Sequence, residues 1–298
     1  MSERSQVLAA EAETVPIGRP AGPWREAWTI LRRDRAFLLS APIIVVFCLM
    51  AAFPQLLTTE APTDCFLDRS LDGPSLTHWF GYDLLGCDYW TRTVYGTRVS
   101  MVVGLGVVIV SGVVAVVLGA ISGFVGGFVD TVVSRVTDLV IGIPAILAGI
   151  VIISFLNGPG VPQIILVLSL LSWPIMLRIM RGSVLEQREE QYVVAARASG
   201  AGTIRILRKH VMPNAMAPVL VYATLYVGTV ITAEAILSFM GVGLQLPAIS
   251  WGIMLAGAAP YIERAPHLLF PGLFLVLAVL AFLLLGEALR NALDPTRR

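Results

Sequence analysis

The sequence predicts an all-α integral membrane protein with six transmembrane helices. Of the 298 residues, 56% are hydrophobic and only 14% are charged, and a soluble domain of this size cannot bury so much apolar surface. A helix that crosses a bilayer needs about 20 largely apolar residues. Six segments meet that requirement: residues 37–57, 99–125, 131–156, 161–180, 215–239 and 268–289.

Two segments precede the first predicted span. Residues 1–24 are rich in charge and proline and have no apolar core of the signal-peptide type, so we expect a disordered cytoplasmic tail. In residues 25–35 and just before them, Trp24, Trp28 and Leu31 recur at helical spacing among arginines. This pattern predicts that residues 25–35 form a short helix at the membrane surface.

The distribution of charge orients the predicted membrane domain, residues 36–298. Cations collect in residues 25–35 and 178–209, whereas residues 58–98 hold six acidic side chains against three arginines. Cytoplasmic loops of membrane proteins carry an excess of Lys and Arg. We therefore expect residues 58–98 to form an extracytoplasmic loop of a plasma-membrane protein, with both chain termini in the cytoplasm.

Two sets of residues are predicted to act on the packing and stability of the fold. Gly119, Gly123 and Gly127 lie four residues apart on one face of the predicted second span, where missing side chains let another helix approach closely. Cys65 and Cys87 both fall in the predicted extracytoplasmic loop, where thiols can be oxidised. The sequence is compatible with a disulfide between them and equally with two free thiols.

Two acidic residues within predicted spans, Asp138 and Glu234, are candidates for function, because charge inside a membrane is expensive and usually serves a purpose. Each also has a structural alternative. Asp138 would pair with Arg135 or another cation on the cytoplasmic side, and Glu234 would brace its own turn or the loop that follows it. The sequence leaves both alternatives open.

The stretch QYVVAARASGAGTIRILRKHVMPN, residues 191–214, interrupts the apolar pattern with small side chains, glycines and cations. We expect a helix that ends at Gly200 and a second helix that stops before Pro213. The two would form a helix-turn-helix within a cytoplasmic loop, residues 182–214. The simplest alternative is a cationic loop that lies flat on anionic lipid.

The first of these two helices carries a face of small side chains, Ala195, Ala196 and Ser199. Such a face suits insertion into a groove on another protein, since backbone can approach backbone. Insertion into lipid instead favours bulky apolar residues. The second helix is expected to pack against the bundle through Ile204, Leu207 and Val211.

No catalytic centre is predicted. Lys209 is the only lysine, and it does not lie in a G-x-x-x-x-G-K-[ST] loop, so the chain is not a P-loop ATPase. A membrane protease needs a nucleophile and a base at one depth, and no histidine is predicted at the depth of Ser111. An ion-coupled secondary transporter or a channel is the alternative class, although no internal repeat supports it.

Five segments resemble one family. AARASGAG followed by RILRKHVMPN resembles the EAA loop of ABC importer permeases, in the form carried by peptide and nickel transporters. The resemblance covers nearly everything from about residue 30 onward and indicates the C-type subunit of a dipeptide or oligopeptide permease. The other similar segments are GYDLLGCDYWTRTVYGTRVSM at 81–101, GGFVDTVVSRVTDLVIGIP at 126–144, AEAILSFMGVGLQLPAISWGIML at 233–255 and GEALRNALDPTRR at 286–298.

The resemblance implies a type I ABC importer permease fold, in which the EAA loop forms coupling helices that dock into a cleft on a cytoplasmic ATPase. Ala195, Ala196 and Gly200 occupy the motif's two alanines and its glycine, and Pro213 its terminal proline, whereas Val194 stands where the general motif has Glu. The residues expected to couple to the ATPase are Tyr192, Ala195, Ala196, Arg197, Ser199, Gly200, Arg205 and Pro213.

The resemblance also implies partners. A homologous permease would complete the translocation path as a heterodimer within the lipid bilayer, two cytoplasmic ATPase domains would bind ATP and Mg²⁺, and an extracytoplasmic binding protein would deliver short peptides. The chain itself is expected to be no enzyme and to bind no metal, cofactor or nucleic acid. Nickel chelates or haem are alternative cargoes, because the binding protein sets most of the specificity.

Overall fold

The computed structural model describes residues 23–156 and 158–293, and these form a bundle of helices. The predicted all-α membrane class is confirmed. Among these residues, five helices are long and apolar enough to cross a membrane, and a bent pair brings the number to six if it counts as one span. Residues 1–22, most of the predicted tail, lie outside the described residues.

The helices are numbered in chain order. They are α1 (Pro23–Leu31), α2 (Arg35–Ala52), α3 (Tyr89–Val125), α4 (Gly127–Ile141), α5 (Ala145–Ser154), α6 (Val161–Arg188), α7 (Gln191–Ala198), α8 (Thr203–Ile206), α9 (Met212–Phe239), α10 (Trp251–Ala258) and α11 (Phe270–Leu293). Between α8 and α9, a π-helical turn (Leu207–Val211) keeps the helix continuous.

Helix α3 begins ten residues earlier than the sequence predicts. Asp88 caps it, since its Oδ2 accepts a hydrogen bond of 2.7 Å from the backbone N–H of Thr91. The polar first turns are buried, and the hydroxyls of Thr93 and Thr97 donate to carbonyls one turn back, of Tyr89 and Thr93. Because the helix satisfies these polar groups itself, hydropathy underestimates its length, and the predicted loop 58–98 ends at Asp88.

The predicted third span, residues 131–156, is not one straight helix. Helices α4 and α5 meet at an angle of 82°, and the residues between them include Gly142 and Pro144. Proline lacks a backbone N–H and disfavours helical geometry in the residue before it. The apolar run is therefore continuous in sequence but broken in space.

Helices α3 and α6 pack closely where two of the three predicted glycines lie. A Cβ at Gly119 would lie 2.9 Å from the carbonyl oxygen of Leu177, and one at Gly123 would lie 2.8 Å from that of Arg181. Gly127 does not belong to this face. Helix α3 ends at Val125, and Gly127 begins α4 with a φ of +61° and open space where a Cβ would be.

Replacing Gly123 by alanine should destabilise the protein by about 1–3 kcal/mol, because the new methyl group meets a backbone carbonyl and the two helices must separate. Gly112→Ala is the matched control, since its Cβ would lie 3.9 Å from the sulfur of Met176, an ordinary contact. Both changes carry the same gain in helix propensity. Thermal unfolding in detergent compares them, and equal unfolding temperatures would contradict the packing argument.

The bundle has two ends that differ in composition. At one end, which we call the elbow end, lie the last residues of α3 and α6 and the segment 189–214. Here α1 packs against α11, with Ala27 and Leu31 buried beside Ala288 and Ala292. One face of the helix predicted for residues 25–35 thus contacts protein.

The other end, which we call the loop end, contains residues 53–88 and 240–269. A disulfide joins Cys65 and Cys87, whereas Cys48 is a free cysteine on the surface of α2. Closing a loop of 22 residues stabilises the fold by roughly 3 kcal/mol in the chain-entropy model. The disulfide therefore fixes the start of α3 against the long connection that leads to it.

Candidate functional site

The small-residue segment 189–214, which we call the elbow, projects from the ends of α6 and α9. Helix α7 is held by one buried side chain, Val193, which packs with Met180 and Val184 of α6. Its opposite face is open, and Ala195 and Ser199 are exposed on it. The elbow thus offers a face of small side chains to solvent.

A tight turn ends α7. The backbone N–H of Gly200 donates to the carbonyl of Arg197 at 3.0 Å, and that of Ala201 donates to Ala196 at 3.1 Å. This pair of bonds is the Schellman motif, which needs a left-handed residue after the helix. Gly200 has a φ of +77°, so any other residue there would be strained.

The sequence predicts that the second elbow helix stops before Pro213, and this prediction is wrong. Helix α8 continues through the π-helical turn into α9, and Pro213 lies in the first turn of α9. Proline is tolerated there because helix starts leave N–H groups without intrahelical partners. As a result, the elbow is joined to the span α9 with no loop between them.

The wide turn also changes which side chains face the bundle. Ile204, predicted to pack inward, is 73% exposed, whereas Ile206 is 2% exposed and Val211 is fully buried. Leu207 is half-buried. A spacing of five residues between Ile206 and Val211 matches a π-helical turn and not the α-helix that the prediction assumed.

Tyr192 connects α7 to both neighbouring spans. Its hydroxyl donates to the side-chain oxygen of Gln187 in α6 and accepts a hydrogen bond of 3.1 Å from the side-chain nitrogen of Asn214 in α9. These two hydrogen bonds link α7 to α6 and to α9. Of the other predicted coupling residues, Ala196 is half-buried. The rest are exposed: Ala195, Arg197, Ser199, Gly200, Arg205 and Pro213.

A polar cluster behind the elbow ties three helices together. Arg181 of α6 donates two hydrogen bonds to Asp130 of α4, one of them at 2.6 Å, and the hydroxyl of Ser122 in α3 donates to the same carboxylate. The guanidinium of Arg188 also donates to the carbonyl of Gly123 at 3.1 Å. Asp130 is not among the residues predicted from the sequence, although its place in the first turn of α4 favours an acidic residue.

Asp138 lies on the surface of α4, and its carboxylate is 2.6 Å from Arg178 and 3.7 Å from Arg135. This arrangement corresponds to the structural alternative, pairing with nearby cations. The side chain is 47% exposed, so the pair has little effect on stability.

Glu234, by contrast, is 1% exposed and lies at the loop end of α9. Three serine hydroxyls donate to its carboxylate: Ser238 at 2.8 Å, Ser250 at 2.9 Å and Ser100 at 3.4 Å. They come from α9, from the start of α10 and from α3, respectively. A buried carboxylate is thus satisfied by neutral donors from three parts of the chain.

Each of these serines also accepts a backbone hydrogen bond. Ser238 accepts from the N–H of Leu244, Ser250 from Ile253 and Ser100 from Trp251, all within 3.3 Å. The serine hydroxyls connect Glu234 to the backbone of residues 240–253, so the carboxylate braces the loop between α9 and α10. Ser250 could have been found as the N-cap of α10, whereas nothing in the sequence pairs Ser100 with Glu234.

An apolar bundle with a protruding elbow, and no phosphate-binding loop in its sequence, is typical of the membrane component of a multi-subunit transporter. A family described as the inner membrane component of binding-protein-dependent transport systems matches residues 115–298, and the N-terminal transmembrane domain of oligopeptide transport permease C matches residues 22–74. The chain belongs to this family of inner membrane components. The family predicted from the sequence, and with it the type I permease fold, is confirmed.

Known relatives match along nearly the whole chain. The dipeptide transport system permease protein DppC of Alkalihalophilus pseudofirmus is 39% identical over 274 residues, which cover 92% of this chain and 90% of that protein. DppC of Bacillus subtilis is 36% identical over 289 residues, with 96% and 90% covered. The glutathione transport system permease protein GsiD of Salmonella typhimurium is 37% identical over 286 residues, with 94% of each chain covered.

Proposed function

We propose that this chain is a permease subunit of an ATP-driven importer of short peptides and forms half of its translocation path. The names of the relatives support this substrate class, since one transports dipeptides and another glutathione, itself a tripeptide. The observation that carries the coupling role is the open small-residue face of α7, on an elbow whose second helix, α8, continues into α9 without an intervening loop.

The chain works with partners that supply what it lacks. A homologous permease forms the other half of the path, two cytoplasmic ATPase domains bind ATP and Mg²⁺, and an extracytoplasmic binding protein delivers the peptide. Binding and hydrolysis of ATP therefore belong to the ATPase partners and not to this chain. The exposed cations of the elbow support a cytoplasmic position for the elbow end and both termini.

The geometry supports a lever mechanism. When ATP closes the two ATPase domains, the docked α7 moves with them. The continuous helix from α8 to α9 and the Tyr192 hydrogen bonds to α6 and α9 transmit that movement to the spans. The bundle then rocks between inward-facing and outward-facing arrangements as a rigid body. Peptide released by the binding protein enters the cavity in the outward-facing state.

Site-directed crosslinking tests the docking. In a Cys48→Ser background, Ser199→Cys should crosslink to a co-purified ATPase subunit, because Ser199 is exposed on the small face of α7. Ser75→Cys, exposed at the loop end, is the matched control and should give no such product. Absence of the Ser199→Cys crosslink in an intact, ATP-hydrolysing complex would contradict the proposal.

Transport assays in proteoliposomes test the energy source and the cargo. Uptake of a labelled dipeptide should require ATP and the binding protein, and other short peptides should compete with it. If uptake continues without ATP under a proton gradient, the chain belongs to an ion-coupled transporter instead. If only nickel chelates or haem compete, the ATP-driven mechanism stands, but the proposed substrate class of short peptides is wrong.

A further inference from the structure

The loop end contains a polar cavity of about 260 Å³. Its floor is the start of α3, and its walls are the chain that follows α2 and the turn before Trp79. Three ionisable side chains line it, Glu60, His78 and Asp88, together with four threonines, at positions 58, 59, 77 and 91. The cavity is separate from the elbow, from the Asp130 cluster and from the Glu234 network.

The three ionisable residues form a compact donor set. One donor atom from each lies within 4.8 Å of the others, and the Nδ1 of His78 lies 2.9 Å from the Oδ1 of Asp88. Zinc bonds to nitrogen and oxygen are about 2.1 Å long, so the donors of a tetrahedral site lie roughly 3.4 Å apart. To bind an ion, the donor atoms therefore have to move closer by up to about 1.4 Å, a shift that the exposed Glu60 can make.

Two of the three side chains are already held in place. The second oxygen of Asp88 caps α3 by accepting from the N–H of Thr91, and His78 is mostly buried between Asp88 and the ring of Tyr82. Glu60, in contrast, is exposed, and within residues 23–156 and 158–293 its carboxylate has no hydrogen bond or ion pair, with only a longer-range attraction to the guanidinium of Arg69. Two carboxylates this close repel each other, and a cation between them would remove that repulsion.

We propose that Glu60, His78 and Asp88 bind a divalent transition-metal ion of the zinc class. One imidazole with two carboxylates matches the nitrogen and oxygen ligands of Zn²⁺, whereas Ca²⁺ and Mg²⁺ prefer oxygen alone. Because Glu60 follows α2 and Asp88 begins α3, the bound ion links the two ends of the connection between these spans. This site does not depend on the cargo or on the ATPase partner.

Zinc titration of the purified full-length chain tests the proposal. The protein carries Cys48→Ser and a tag without histidine, has its disulfide intact, and is stripped with EDTA before calorimetry with ZnCl₂. One Zn²⁺ per chain should bind, and Glu60→Gln should weaken binding at least tenfold. Because Glu60 is exposed, this variant should unfold at the same temperature as the parent when no metal is present.

Three variants separate the proposed site from others. Asp64→Asn, which removes an exposed carboxylate of the same loop, and His210→Gln, at the elbow, should bind zinc as the parent does. His78→Gln should lose binding. A parent chain that binds no zinc, or zinc binding that survives Glu60→Gln or disappears with His210→Gln, would overturn the site and leave only the hydrogen bond between His78 and Asp88.

Discussion

Replacing Ala195 by phenylalanine should abolish ATP-driven uptake while the chain stays folded. Ala195 is exposed on the small face of α7, so a ring there extends into solvent and prevents α7 from entering a narrow groove. A central contact contributes about 2 kcal/mol or more to an interface. Docking of the ATPase should therefore weaken by roughly 30-fold, which co-purification and uptake in proteoliposomes both measure.

Ala61→Phe is the matched control for this prediction, because it places the same ring on an exposed alanine at the loop end. It should leave uptake and ATPase binding unchanged. Thermal unfolding of both variants separates loss of docking from loss of folding. Full uptake by Ala195→Phe, with the ATPase still bound, would show that α7 does not dock through this face.

Replacing Glu234 by alanine should destabilise the protein by about 3 kcal/mol or more, because a buried hydroxyl that loses its acceptor costs about 1–3 kcal/mol and the missing side chain leaves a cavity. The loop after α9 would lose the contacts that hold it to α3. We expect a much lower yield of monodisperse protein and a lower unfolding temperature. Thermal unfolding monitored by tryptophan fluorescence measures the change.

Glu234→Gln provides a graded test of the same network. The hydroxyls of Ser238 and Ser250 both donate to one carboxylate oxygen, Oε1, and the glutamine oxygen can replace it. Only the bond from Ser100 must reverse, so this variant should lose about 1 kcal/mol. Glu263→Ala, an exposed control at the same end, should change stability by less than about 0.5 kcal/mol. Equal losses in all three variants would contradict the brace.

Hydropathy predicted the ends of the spans well where a helix is apolar throughout, and poorly where buried polar side chains form hydrogen bonds within the protein. The start of α3 is the clearest example, since buried threonine hydroxyls bond to their own helix and hide its first turns from a hydropathy count. The bend between α4 and α5 is the opposite case. There the composition stays apolar across Pro144, and the backbone alone changes direction.

For the elbow, the sequence predicted the short helix and the turn, but not all of the side chains that face the bundle. Small residues and Gly200 predicted a short helix and a turn, because both depend on neighbouring residues only. Of the residues predicted to face the bundle, Val211 is buried, whereas Ile204 is exposed and Ile206 is buried in its place. The reason is the π-helical turn between α8 and α9, because the prediction assumed the spacing of an α-helix.

The sequence by itself determined the membrane class, the approximate spans, the small face of α7 and the family. These follow from composition, periodicity and short motifs, which are local properties of the chain. Only the tertiary structure decided that Glu234 accepts from Ser100, 134 residues away, and that Arg181 binds Asp130 across 51 residues. A buried polar group takes whichever partner the packing of the helices brings within hydrogen-bonding distance, and that packing is a property of the whole bundle.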